Sequence, residues 1–97
     1  MKPLKNNTWV WAVVQDPDRD EQFLGQYDEV SKIFFVPFFR EKEDAEQCIS
    51  GLVKNPGHKY EIQAIIFEEL KRLCAKDKAM LFLLNGKGKI LDKILPE

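Results

Sequence analysis

Three aspartates at alternate positions, Asp16, Asp18 and Asp20, are the first residues of this sequence whose spacing suggests chemistry. Carboxylates with this spacing open the calcium loop of an EF-hand, which also needs glycine at its sixth position and glutamate at its twelfth. Those two positions hold Glu21 and Tyr27 here, so both the sharp turn and the bidentate ligand are missing. We therefore predict a solvated acidic turn, with no calcium site and no structural metal.

A segment rich in glycine and lysine, residues 86–89, is compatible at first sight with phosphate binding. A phosphate-binding P-loop, however, reads GxxxxGK[ST] and lies between a strand and a helix. Asn85 and Gly86 stand between two apolar segments, and an Asn-Gly pair in that position is typical of a β-hairpin turn. We therefore predict a turn, and no nucleotide cofactor.

The candidate nucleophiles and metal ligands are two cysteines, Cys48 and Cys74, and the single histidine, His58. Each cysteine falls on the apolar stripe of a predicted helix, where a thiol is usually buried and inert. We expect both thiols to be reduced, which favours a cytoplasmic protein. A lone histidine does not make a zinc site, whereas a Cys–His pair assembled by the fold stays open at this stage.

Composition and charge limit the function classes. Hydrophobic residues make up 44% of the chain and charged residues 32%, which is typical of one soluble globular domain. The formal net charge of −1 argues against a strongly basic nucleic-acid-binding protein, and no apolar segment reaches the roughly 20 residues of a membrane span. No serine stands in a GxSxG context. The sequence therefore predicts no enzyme, no cofactor, and no nucleic-acid or membrane partner.

The elements that would position these residues alternate between strands and helices. Alternating or fully apolar segments predict strands, and apolar residues at i, i+3, i+4 predict two helices. Pro37 cannot donate to a ladder, so the third strand is expected to lie at an edge or to end there. Residues 1–8 are predicted to be a flexible tail and residues 9–97 a single domain. The predicted strands cover residues 9–14, 23–27, 33–38, 60–66, 80–84 and 89–94, and the predicted helices cover residues 41–54 and 67–77.

This order, β-β-β-α-β-α-β-β, predicts an α+β fold. We expect a two-layer sandwich in which two helices lie over a mixed five- or six-stranded sheet. Crossovers between parallel strands are expected to be right-handed. Because two helices cannot cover both faces of such a sheet, part of the second face is predicted to be open or covered by another chain.

The open face is a candidate interaction surface because of its aromatic residues. Trp9, Trp11 and Val13 share one face of the first strand, and we expect them on the side without helices. Glu61 and Gln63 are assigned to the same side, so the surface mixes apolar and polar groups, as protein interfaces do. At least one of the two tryptophans is then exposed to solvent. Ordinary core packing of the aromatic residues is the alternative.

The segment FFVPFFREKEDA, from Phe34 to Ala45, resembles a recurring segment of the SseB-like (enhanced serine sensitivity) family. There, an apolar strand with proline leads into an acidic helix start that ends in Asp-Ala. Residues 67–70 and 80–85 are similar to that family's helix, apolar strand and Asn turn. The resemblance covers roughly residues 34–91 and departs from the family at Gly86, because the family typically has Asn-Pro-Gly at this turn. It implies a small bacterial α+β domain linked to amino-acid sensitivity or protein interaction, without established catalytic residues to carry over.

Three functions remain open from the sequence. The first is a non-enzymatic domain that acts by protein contact, as a homodimer or an adaptor. We favour it because of the aromatic residues on the first strand of the chain. The second is a small-molecule or regulatory ligand-binding domain with an apolar pocket between the helices and the sheet. The third is an enzyme whose site is assembled from residues distant in sequence.

Overall fold

The computed structural model describes residues 4–95. The elements in this range are β1 (Trp9–Gln15), β2 (Gln22–Phe23), β3 (Gln26–Asp28), β4 (Ile33–Phe39), α1 (Lys42–Cys48), β5 (Tyr60–Ile66), α2 (Phe67–Lys76), β6 (Met80–Leu84) and β7 (Ile90–Ile94). The predicted α+β class, the two helices and their order relative to the strands are confirmed. One predicted strand, residues 23–27, is divided by Leu24 and Gly25 into β2 and β3.

The strands form one mixed sheet, in which β5, β1, β4, β6 and β7 follow one another across its width. β1 runs antiparallel to β2, β4 and β5, whereas β4 is parallel to β6 and β7 is antiparallel to β6. β2 and β3 lie where β1 and β4 separate, since β2 pairs with the end of β1 and β3 pairs with the beginning of β4. β5 and β7 are therefore the two outer strands.

Pro37 lies inside the sheet and β4 continues to Phe39, which differs from the expected edge position or strand end at this proline. β4 pairs with β6 on one side and with both β1 and β3 on the other. On that second side β3 pairs as far as Phe35 and β1 pairs only from Phe38 onward. Pro37 thus stands at an interruption of the ladder, where the missing donor removes no bond on that side.

The two helices lie on opposite faces of the sheet, so the layering differs from the two-layer sandwich predicted above. α2 packs on the face that carries Val10 and Ala12, whereas α1 packs on the face that carries Val13. The reason is the direction of the crossovers. β4, β5 and β6 all run parallel, and the chain crosses the sheet through α1 from β4 to β5 and then returns through α2 to β6. Two crossovers of the same right hand in opposite directions place their helices on opposite faces.

Each face of the sheet has its own hydrophobic core. On the α2 face, Phe38 stacks on Phe67 with ring centroids 5.5 Å apart. On the α1 face, Phe35 stacks on Phe82 at 4.1 Å. The buried residues of the α2 face are Val10, Ala12, Val36, Phe38, Phe67, Leu70, Cys74, Leu81 and Leu83. Those of the α1 face are Val13, Leu24, Phe39, Ala45, Cys48, Phe82 and Leu84.

α1 is shorter than the helix predicted over residues 41–54. It ends at Cys48 and continues as a 3₁₀ turn over Ile49–Gly51, after which Leu52 is extended. Gly51 disfavours a further helical turn, because glycine is a poor helix former in a helix interior. No helix within residues 4–95 has the length and apolar character needed to cross a membrane.

The segment before β1 is joined to the start of α2 and is not a free tail over residues 4–8. The N–H groups of Phe67 and Glu68 donate to the carbonyl oxygens of Thr8 and Asn6, at 2.8 and 3.0 Å. Lys71 Nζ also donates to Asn6 Oδ1. These bonds provide acceptors for two of the N–H groups that a helix start leaves unpaired. Residues 1–3 of the predicted tail lie outside the described residues.

Candidate functional site

The predicted surface of five residues is divided by the fold. Trp9, Trp11 and Val13 do share one face of β1, but α1 covers that face at Val13, which is only 1% exposed. Val13 is therefore a core residue and not part of a surface. Its assignment to an open face was wrong because both helices were expected on the other side of the sheet, whereas α1 packs on this one.

Glu61 and Gln63 lie on the face opposite to the tryptophans. In the β1–β5 register, Glu61 stands across from Val14 and Gln63 stands across from Ala12. Residues directly opposite each other in an antiparallel pair have their side chains on the same face, and a shift of one residue reverses the face. The two polar residues therefore belong to the α2 side, where Gln63 Nε2 donates to Glu61 Oε1 at 3.2 Å.

The residues that accompany the tryptophans are instead apolar. Ile66 stands across from Trp9, and Ala64 across from Trp11. Trp9 is 60% exposed and Ile66 is 37% exposed, while Trp11 is half-buried against the α1-face core. We call these four residues, Trp9, Trp11, Ala64 and Ile66, the apolar strip. The prediction that at least one tryptophan is exposed is confirmed by Trp9.

Lys42, the first residue of α1, lies over the Trp11 ring at one end of the apolar strip. Its Nζ lies 5.6 Å from the centroid of the Trp11 ring, within the range of a cation–π contact. One end of the apolar strip, Trp11, therefore contacts Lys42 of α1, whereas the other end, Trp9, is exposed to solvent. Sequence reasoning missed Ala64 and Ile66 because their face depends on the β1–β5 register, which periodicity alone does not give.

The phenylalanines of β4 separate into core and surface. Phe38 and Phe39 are fully buried. Phe34, in contrast, is 70% exposed and contacts Tyr27 of β3 with ring centroids 4.9 Å apart. Phe34 lies two and four residues before Val36 and Phe38, so its side chain is on their face of β4. This second exposed aromatic pair therefore lies on the α2 face, away from the apolar strip.

A cavity of about 570 Å³ lies between α1 and the sheet, on the α1 face. Phe35, Leu52 and Leu84 give it apolar walls, and Gln47 and Lys87 are among its polar residues. It opens beside the turn between β6 and β7. Its volume is within the range of roughly 300–1,000 Å³ that is common for small-molecule sites.

Both thiols are buried, as the helix stripes predicted. Burial raises the pKa of the Cys48 thiol. For Cys74, burial and then the charge of Asp77 raise the pKa to about 11. His58 is engaged elsewhere, since its Nδ1 lies 2.6 Å from Asp16 Oδ2. The fold thus pairs the histidine with a carboxylate and keeps both thiols in the core, so the Cys–His arrangement left open by the sequence is not formed.

The three alternate aspartates do not converge. Asp16 turns toward β5, where Oδ1 accepts the N–H of Lys59 at 3.2 Å and Oδ2 contacts His58. Asp18 and Asp20 are exposed. Within the part of the chain that the structure describes, no group of three or more His, Cys, Asp or Glu side chains is arranged to hold a metal ion.

The geometry thus leaves two candidate sites, the apolar strip on β1 and β5 and the cavity beside α1. Neither carries a chemical signature that assigns it to a family, and the SseB-like resemblance stays a prediction. In comparisons with known proteins, no family model, no curated protein and no solved structure matches this chain.

Proposed function

We propose that this chain is a non-enzymatic cytoplasmic domain that acts by protein contact, through association with a second copy of itself. One observation carries the proposal: Trp9 is 60% exposed although β1 has neighbouring strands on both sides. Adjacent exposed apolar groups on a soluble domain usually mark an interaction site, and Ile66 and Ala64 extend this one. The resemblance of residues 34–91 to the SseB-like family stays a prediction and implies a link either to amino-acid sensitivity or to protein interaction.

The free energy that Trp9 would contribute to such a contact follows from its exposed area. A tryptophan side chain buries roughly 150–250 Å², and the exposed part here is 60%. At about 25 cal/mol per Å², covering that part contributes about 2–4 kcal/mol. Association costs about 4–15 kcal/mol in lost freedom of motion. Trp9 is therefore an anchor, and the neighbouring surface must supply the rest of the interface.

Light scattering across a concentration series tests the proposal. We expect the average mass of the wild-type protein to rise from monomer to dimer with concentration. Trp9→Thr should raise the dimer dissociation constant at least tenfold, since threonine keeps the strand propensity and loses the ring. Phe34→Thr is the matched control, because Phe34 is also largely exposed, at 70%, but lies away from the apolar strip. A wild-type mass that stays monomeric to millimolar concentration would contradict the proposal.

The cavity beside α1 favours a second candidate function, the binding of a small apolar ligand. Its wall contains the stacked ring of Phe35, with Leu52 and Leu84 beside it. The dye 1-anilinonaphthalene-8-sulfonate is a suitable probe, since its emission rises in apolar sites. We expect saturable binding by the folded protein and weaker binding by Leu52→Trp, because the larger ring narrows the cavity beside Phe35 and Leu84. Non-saturable emission, or equal binding by both proteins, would remove this candidate.

A further inference from the structure

One long side of β5 has no partner strand in the structure. All seven residues of β5, Tyr60–Ile66, pair with β1. No strand within residues 4–95 pairs with the opposite side. An open strand edge presents a row of unpaired N–H and C=O groups, which is a template for another strand.

The ends of the β1–β5 ladder fix which residues face this open edge. At one end Phe67 donates to Thr8, and at the other Asp16 donates to the carbonyl oxygen of Lys59, both at 2.8 Å. Backbone groups in an antiparallel ladder alternate between the two sides of a strand. Residues 59, 61, 63, 65 and 67 therefore direct their backbone groups toward β1. Four residues direct theirs to the open edge: Tyr60, Ile62, Ala64 and Ile66.

The composition of β5 differs from that of the other outer strand. β7 carries Asp92 and Lys93 in its middle, and a register irregularity lies between Leu83 and Leu84 in its pairing with β6. Charges, lysines, prolines and bulges are the usual means by which an outer strand avoids pairing with another chain. β5 has seven residues, a single charge at Glu61, no proline and no lysine. Its pairing with β1 is continuous. β5 is therefore the edge that remains suited to pairing.

We propose that the β5 strands of two copies pair antiparallel, edge to edge, about a two-fold axis at Gln63, so that the sheet continues from one copy into the other. This inference names the contact mode of the self-association proposed above and rests on that function. In this register all seven residues of each β5 take part. The outward-facing residues meet as hydrogen-bonded pairs, Tyr60 with Ile66 and Ile62 with Ala64 of the second copy.

The side chains that this register brings together on the α1 face are apolar or aromatic. On the α1 face Tyr60, Ile62, Ala64 and Ile66 meet one another, and Trp9 lies next to Ile66 in the same row. The apolar strip then continues across the junction. Cross-strand contacts of aromatic and branched side chains of this kind stabilise a pair of strands.

Charge also favours this register. Glu61 stands across from Ile65 of the second copy, so the two Glu61 carboxylates are four positions apart. At about 3.3 Å per residue the separation is about 13 Å, beyond the screening length of about 8 Å at physiological ionic strength. A two-fold axis at Ile62 would bring the two Glu61 residues within two positions of each other. An axis at Ala64 would leave Tyr60 and Glu61 without a partner in β5.

Ala64→Pro tests the edge directly. The N–H of Ala64 faces the open side, so proline removes a donor to the second copy while the ladder to β1 is kept. Ala64→Val, which keeps the N–H and favours a strand, is the matched control. By sedimentation equilibrium we expect the dimer dissociation constant to rise at least tenfold in Ala64→Pro and to stay within twofold in Ala64→Val. If a folded Ala64→Pro dimerises as tightly as the wild type, the edge contact is wrong while self-association stands. A monomeric wild type overturns both.

A cysteine pair tests the register even if Ala64→Pro fails to fold. At the two-fold axis the Gln63 residues of the two copies meet as a non-hydrogen-bonded pair, with Cα atoms about 4.5 Å apart, within disulfide range. Gln63→Cys should therefore give a reducible covalent dimer under mild oxidation. Glu61→Cys is the control and should not, because its two copies are about 13 Å apart at about 3.3 Å per residue. Equal cross-linking of both variants, or none by a dimeric Gln63→Cys, would overturn the register.

Discussion

His58 joins the turn after β1 to the segment before β5 through a hydrogen bond between its Nδ1 and Asp16 Oδ2, 2.6 Å apart. Asp16 also accepts the N–H of Lys59 and has a positive φ of 52°. The chain reverses direction at Asp16, and its carboxylate connects this reversal to β5. The sequence contains no local signal for this contact, because the two residues are 42 positions apart.

This contact predicts an acid-sensitive contribution to stability. The hydrogen bond from His58 lowers the pKa of Asp16 below its ordinary value of 3.8. A lowered pKa in the folded state means that the contribution is complete above the unfolded pKa and is lost as the pH falls through the folded pKa. Urea unfolding of the wild type and Asp16→Asn should therefore differ at pH 5, and this difference should shrink as the pH falls below 3.8. A difference that grows on acidification would contradict the assignment.

Both thiols are expected to react slowly in the folded protein. The pKa of Cys74 is raised to about 11 by burial and by Asp77, and burial also raises that of Cys48. The thiolate is the reactive form, so few molecules carry it at pH 8. Labelling with a thiol-reactive disulfide at pH 8 should proceed much more slowly than in denaturant. Labelling of either cysteine at the denatured rate would show that its burial is wrong.

Replacing Gly88 in the β6–β7 turn is expected to lower the free energy of unfolding through backbone strain. Its φ is +82°, whereas a Cβ there would meet only Cys48 Sγ at 3.8 Å, so the cost is conformational and not steric. Gly88→Ala should lower the free energy of unfolding by about 1–2 kcal/mol. Gly51→Ala, which meets nothing within 4 Å, is the control and should be neutral or slightly stabilising. Equal effects in urea titrations would contradict this account.

The two tryptophans should differ in their effect on stability. Trp9 is exposed, so Trp9→Thr should change the free energy of unfolding of the monomer by less than about 0.5 kcal/mol. Trp11 packs against the α1-face core, and Trp11→Thr should cost about 2 kcal/mol or more. Urea unfolding at low protein concentration measures both without a contribution from association. A larger loss for Trp9→Thr than for Trp11→Thr would reverse the assignment of core and surface.

Much of the local structure is accessible from the sequence. The alternation from Tyr60 to Ile66 predicts β5 at its observed bounds, and the stripe with Leu70 and Cys74 predicts α2 to within one residue. The β6–β7 hairpin is also predicted, although its positive φ belongs to Gly88 and not to Asn85 or Gly86. Asn85 instead stabilises the turn with its side chain, whose Oδ1 accepts the N–H groups of Lys87 and Lys89. These features depend on residues close together in the chain.

The candidate site was predicted only in part, for a reason visible in three residues. Trp9 was correctly expected at the surface, Val13 was wrongly expected beside it, and Ile66 was not expected there. Alternation along β1 gives the correct grouping of Trp9 with Val13 on one face. It does not say how far a helix covers that face, nor which residues of a distant strand stand opposite.

The sequence by itself therefore determined the type and order of the elements, because periodicity and turn residues act over a few positions. Tertiary structure decided the layers, the register of β5 against β1, and the open edge of β5. The handedness of the crossovers provides the physical reason for the layers. The chain crosses the sheet once in each direction, and a constant right hand then directs α1 to one face and α2 to the other. That arrangement buries Val13 under α1 while Trp9 stays in solvent.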